Sequence, residues 1–121
     1  MASVLVIDDD AEVGEAVRRI LQRAGFVVSA VMSSEQGLKI AAEQPVDVVI
    51  TDIIMPDKEG LEVIMELSQE KPRPKIIAMS GGGMMEPRTY LSLAEKLGAD
   101  EVIQKPFRPA ELLALVEKLL I

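Results

Sequence analysis

Short apolar runs alternate along the chain with stretches of helical period. The runs predict strands at residues 3–8, 26–31, 46–52, 75–80 and 101–104. Between the first two, Val13, Ala16, Val17, Ile20, Leu21 and Ala24 recur at i, i+3 and i+4, which predicts a helix, and Gly25 follows where a left-handed cap is wanted. Ser33 followed by Gln36 resembles a capping box opening a second helix through Leu38, Ala41 and Ala42, which ends before Pro45. Leu61, Ile64, Leu67 and Ser68 mark a third helix, ended by Pro72 and Pro74, and Leu91, Ala94 and Leu97 with Gly98 mark a fourth. A fifth starts near Pro109 and places Leu112, Leu113, Val116, Leu119 and Leu120 on one face. Strand and helix alternating five times is the pattern of βα units around a parallel sheet. The expected fold class is therefore α/β, a single domain over residues 1–121.

Size and composition fit that expectation. At 121 residues the chain can bury a core without staples, and 49% hydrophobic with 27% charged residues is a globular balance. The apolar runs are far too short to span a bilayer. The amino terminus lacks the basic start and long apolar stretch of a signal peptide, so a cytoplasmic location is expected. Having neither cysteine nor histidine, the chain has no thiolate nucleophile, no imidazole base and no usual zinc site. Its chemistry must come from carboxylates, hydroxyls, lysines or an oxygen-held metal. A net charge of −7 argues against the phosphate backbone of nucleic acid as a partner and favours proteins or cations.

The polar residues that end the strands change the picture most. Asp8, Asp9 and Asp10 follow the first, Asp52 ends the third, Ser80 ends the fourth, and Lys105 with Pro106 and Phe107 follows the fifth. Open parallel sheets bind ligands at the carboxyl ends of their strands, where the winding reverses. Asp8, Asp9 and Asp52 brought together would repel one another unless a cation or proton intervened. A hard divalent ion, Mg2+ by cellular default, takes oxygen ligands and keeps several waters. Lys105 adds a fixed positive charge, and with a metal it could neutralise a phosphoryl group in transfer. Ser80 supplies a hydroxyl, and Gly81 leaves room for a ligand to approach the backbone.

Together, Asp8–Asp9, the pattern Asp52, Met55, Pro56, Gly60, the hydroxyl of Ser80 and the run Lys105, Pro106, Phe107 resemble the receiver domain of bacterial two-component response regulators, the CheY-like family. The resemblance covers essentially the whole chain, in order and spacing. It implies a doubly wound, flavodoxin-like (βα)5 sandwich with a parallel sheet of order 2-1-3-4-5. It implies that Asp52 is the phosphoacceptor, served by a sensor histidine kinase or a histidine phosphotransfer protein, in a domain that catalyses only its own phosphorylation and dephosphorylation. Mg2+ would be held by Asp9, Asp52 and the main-chain carbonyl of Ile54, with Asp8 acting mainly through water. Lys105 would pair with the phosphoryl oxygens, Ser80 would swing to bond them, and the Lys105–Pro106 peptide would be cis. An output protein or domain is implied, acting on a monomer or a phosphorylation-linked dimer.

The chain also departs from the family. Tyr or Phe often stands three residues before the lysine as a rotating switch, whereas Val102 stands here. Ile54 and Gly82 occupy the two positions whose side chains tune acyl-phosphate lifetime in relatives. An alternative class shares part of the chemistry: Asp8 and Asp10 after an apolar strand resemble the nucleophile motif of haloacid-dehalogenase phosphatases, which also use Mg2+. That family usually has Thr or Val two residues after the second Asp, where this chain has Glu12. A flavodoxin-type flavin module would need a Ser, Thr and Gly-rich loop after the first strand, where three carboxylates stand.

Overall fold

A computed structural model of the chain describes residues 2–53, 60–81 and 87–121. The elements run β1 (Ser3–Ile7), α1 (Ala11–Arg23), β2 (Val27–Val31), α2 (Ser34–Glu43), β3 (Val48–Asp52), α3 (Gly60–Ser68), β4 (Lys75–Ser80), α4 (Pro87–Leu97), β5 (Glu101–Gln104) and α5 (Pro109–Leu119). All strand pairs are parallel, in the order β2-β1-β3-β4-β5. The α/β class and the strand order are those expected. Ile54, Met55, Pro56, Gly82 and Gly83 lie outside the described residues.

The most apolar runs became the most buried strands. Every residue of β3 is buried, and in β4 only Lys75 is exposed, because helices cover both faces of a parallel sheet. Alternate strand residues feed two cores. Leu5, Ile7 and Val49 pack with Val63, Ile64 and Leu67 of α3 and Ala94 of α4. Val4, Val6, Val48 and Ile50 pack on the other face with Val17 and Leu21 of α1 and Leu112 and Val116 of α5.

Local signals act as expected at several helix ends. Ser33 Oγ accepts the Gln36 amide at 3.1 Å, Gly25 takes φ +98°, and Pro109 opens α5. The apolar periodicity was too generous at three positions. Ala16 and Ala24 are exposed, as is Leu120 at 37%, because Ala24 and Leu120 fall at the caps and Ala16 lies on the outer flank of α1.

The helix α2 sits tight against the sheet. A Cβ built at Gly37 would lie 2.3 Å from Cδ1 and 2.6 Å from Cγ1 of Ile7, which is fully buried and cannot swing aside. Gly37→Ala is therefore expected to cost about 1–3 kcal/mol of stability by overpacking. Ile7→Val in the same chain should recover part of that loss. Urea denaturation of the two single variants and the double variant measures the coupling, and strictly additive losses would show that the two residues do not collide.

Candidate functional site

The winding reverses between β1, whose chain turns to β2 on one side, and β3 on the other. The carboxyl ends of these two strands are therefore the crevice of the sheet. Asp8 and Asp9 leave β1 there, and Asp52 is the last residue of β3. One carboxylate oxygen from each of Asp8, Asp9 and Asp52 lies within 4.8 Å of the others. Asp8 is 1% exposed and Asp52 8%, while Asp9 faces solvent.

The third acid of the Asp8–Asp10 run has another task. Asp10 Oδ1 accepts the amides of Glu12 at 2.9 Å and Val13 at 3.4 Å, which makes it the N-cap of α1 and leaves it outside the carboxylate cluster. A short polar residue just before an apolar helical repeat is the signal that could have shown this in the sequence. Asp8 itself is held from behind, since its Oδ1 accepts the Asp10 amide at 2.9 Å.

Lys105 reaches across the sheet into this cluster. Its Nζ donates to Asp8 Oδ2 at 2.8 Å and to Asp52 Oδ2 at 3.1 Å. The backbone anchors it, since the Lys105 amide donates to the carbonyl of Ser80 at 2.8 Å. The Lys105–Pro106 peptide is cis, as the family resemblance implies. Burial works against the ammonium charge, but hydrogen bonds and attraction from Asp8 and Asp52 outweigh it and hold the Lys105 pKa above its ordinary value of 10.5.

One expectation changes here. The space beside Gly81 is taken by the lysine stem, because a Cβ on Gly81 would stand 2.5 Å from Cβ of Lys105. The missing side chain makes room for Lys105 rather than for a ligand at that point.

Ser80 is fully buried, and among the described residues its Oγ has no hydrogen-bond partner. An unsatisfied buried hydroxyl costs about 1–3 kcal/mol, so this strand end keeps a hydrogen-bonding group with capacity to spare. The structure brings together Asp8, Asp9, Asp52 and Lys105, and sets Ser80 at the end of the neighbouring strand. Ile54, whose carbonyl the resemblance adds to the metal ligands, lies outside the described residues. Val102 is half-buried against the core on the α3 side, without the aromatic ring common in relatives.

Among the described residues, three carboxylates face one ammonium, a formal charge of −2. All the ligand atoms are hard oxygens and two of the carboxylates are buried, which suits a hard divalent cation of the Mg2+ class. The same surplus negative charge would repel a flavin phosphate.

A five-stranded parallel sheet of this order, with an acidic pocket at its reversal, is a doubly wound module whose switch point can hold a cation. The chain belongs to the response regulator receiver domain family, whose model matches residues 4–117. Its role is accordingly that of a receiver in two-component signal transduction. It is 32% identical over 99% of its length to the transcriptional regulatory protein CpxR of Klebsiella pneumoniae, of which it covers 50%. Similarity to the probable transcriptional regulatory protein SilR of Salmonella typhimurium is 35% over 97% of the chain and again 50% of the relative. The chain thus spans about half the length of these relatives. Among solved structures, a response regulator receiver domain protein from Clostridium thermocellum superposes with a TM-score of 0.89 at 31% identity, covering 98% of this chain and 94% of that one. No helix among the described residues is long and apolar enough to cross a membrane.

Proposed function

We propose that Asp52 is the phosphoacceptor, and that Asp8, Asp9, Lys105 and Ser80 serve its reaction. One observation carries this reading: a buried carboxylate at the sheet reversal shares its pocket with two further carboxylates and a lysine already bonded to it. An oxygen of Asp52 forms a bond to phosphorus, and the donor's leaving group departs with the bonding pair. Lys105 then exchanges the Asp52 oxygen for a phosphoryl oxygen while keeping Asp8, which holds its stem in place. Ser80 turns its hydroxyl towards the same group, and its lost hydrogen bond is made there.

The added phosphoryl group brings about 1.5 to 2 negative charges into a pocket already in surplus. Asp8, Asp9 and Asp52 would hold Mg2+, with the Ile54 carbonyl as a further ligand, and the ion supplies counter-charge to the transferring oxygens. The donor is a phosphohistidine on a sensor kinase or a phosphotransfer protein, and the reader is an output domain or protein. Both proposals draw support from relatives that are named as transcriptional regulators and are twice as long as this chain. The domain works on itself alone, in the cytoplasm. Because Asp10 is spent on the α1 cap, the phosphatase alternative lacks its second acid.

Incubation with acetyl phosphate and Mg2+ should add one phosphoryl group per chain, measured by intact mass, and a chelator should stop the labelling. Undiminished labelling without divalent ions would remove the metal from the reaction. Turnover of a phosphate ester without a stable adduct would favour the phosphatase class instead.

A further inference from the structure

Thr51 is the one residue of β3 before Asp52 that carries a polar side chain, and it is fully buried. It stands between Val49 and Ile53 on the face that packs against α3, where a valine of the same shape would leave no hydroxyl to satisfy. The hydroxyl has a partner: Thr51 Oγ1 donates to the main-chain carbonyl of Asp52 at 3.0 Å. The other end of that peptide is held as well, since the Ile53 amide donates to the carbonyl of Met79 on β4 at 3.1 Å. The peptide plane that follows the Asp52 Cα is therefore pinned at both ends, one by a side chain and one by the neighbouring strand.

The holds on Asp52 differ in when they act. Lys105 bonds its carboxylate oxygen at 3.1 Å, a contact given up when the ammonium passes to the incoming phosphoryl group. The Thr51 contact is to the backbone and survives that exchange. We propose that Thr51 is a positioning residue for Asp52, whose hydroxyl keeps the attacking oxygen in line with phosphorus while the lysine changes partners. The inference rests on Asp52 being the phosphoacceptor. Strand alternation sends the Thr51 and Asp52 side chains to opposite faces of the sheet, so Thr51 acts through the peptide plane and not on the phosphoryl group. Transfer rates are sensitive to small misplacements of the attacking atom, which is where such a hold is felt.

The test is a square of variants that separates the hydroxyl from the methyl. Thr51→Val removes the hydroxyl and keeps the shape, Thr51→Ser removes the methyl and keeps the hydroxyl, and Thr51→Ala removes both. Labelling by acetyl phosphate with Mg2+ in excess is timed by intact mass, well below the melting temperature of each variant. Loss of the hydroxyl should slow labelling about fivefold, the effect of one ordinary hydrogen bond, whether Thr is compared with Val or Ser with Ala. Loss of the methyl should lower the thermal midpoint, yet Thr51→Ser should keep the rate of the unaltered protein. Rate then follows the oxygen and stability the carbon, a crossing that a purely packing role would not give. The Ser and Ala variants carry the same comparison without Thr51→Val, should that variant fail to fold.

Equal rates for Thr and Val and for Ser and Ala, with labelling still abolished by Asp52→Asn, would overturn the proposal and leave the phosphoacceptor in place. Rates that simply rank with the thermal midpoints would overturn it too. Labelling that persists in Asp52→Asn would instead remove the phosphoacceptor reading, and this inference with it.

Discussion

Asp52→Asn is expected to take up no phosphoryl group from acetyl phosphate under conditions that label the unaltered protein to one per chain. An amide oxygen is a far weaker nucleophile than a carboxylate, and replacing a nucleophile removes the step rather than slowing it modestly. Folding should not suffer, because Asn keeps the shape and relieves repulsion among three carboxylates that lie within 4.8 Å of one another. A thermal melt at least as high as that of the unaltered protein, together with absent labelling, separates chemistry from stability. Labelling at the same rate would sink the assignment.

Lys105→Met should be costly in a different way. It removes the cation that bridges Asp8 and Asp52 and leaves a carboxylate that is 1% exposed facing two others. Removing one partner of a buried ion pair typically costs about 3–5 kcal/mol, and the access that solvent has to Lys105 puts the expected loss of unfolding free energy near the lower end, about 3 kcal/mol. The loss should narrow when excess Mg2+ supplies a counter-charge, since a ligand of the folded state alone stabilises it.

Phosphoryl uptake should fall by about 10²–10³ as well, the usual effect of deleting a donor aimed at developing charge. The pH dependence has a definite sign. A lysine whose folded pKa is raised stabilises fully below its ordinary value of 10.5, and that contribution is lost as pH rises through the higher folded value. In metal-free urea titrations the unaltered protein should lose this increment only above that ordinary value, and Lys105→Met should lack it. Coincident unfolding curves for the two proteins at neutral pH would show that the bridge carries no stability.

Much of this site was legible in the residues because parallel sheets announce themselves twice. The runs Val48–Ile50 and Ile76–Met79 are apolar throughout since both faces are covered, and the polar residues Asp52 and Ser80 beyond them stand at the carboxyl ends of the strands. Helix ends were legible where chemistry is local, as at Ser33 and Pro109. What stayed hidden depends on distance. Lys105 and Asp8 are 97 positions apart, and periodicity says nothing about which strand ends face one another across a sheet.

Two other features were masked by composition. The run Asp8–Asp10 reads as one acidic block, yet backbone geometry divides it into a buried anchor, an exposed member of the carboxylate cluster and a helix cap. Gly37 looks like an ordinary helical glycine until Ile7 is found against it. Alanines at the margin of a helix face, such as Ala16, carry too little area for periodicity to decide their side.

The most direct test of the central claim is the position of the modification. After labelling with acetyl phosphate and Mg2+, peptide mapping by mass spectrometry should find a single hydroxylamine-labile acyl phosphate on Asp52, with Asp8, Asp9, Asp10 and Ser80 unmodified. A phosphoryl group on any of those four residues, with Asp52 free, would contradict the account.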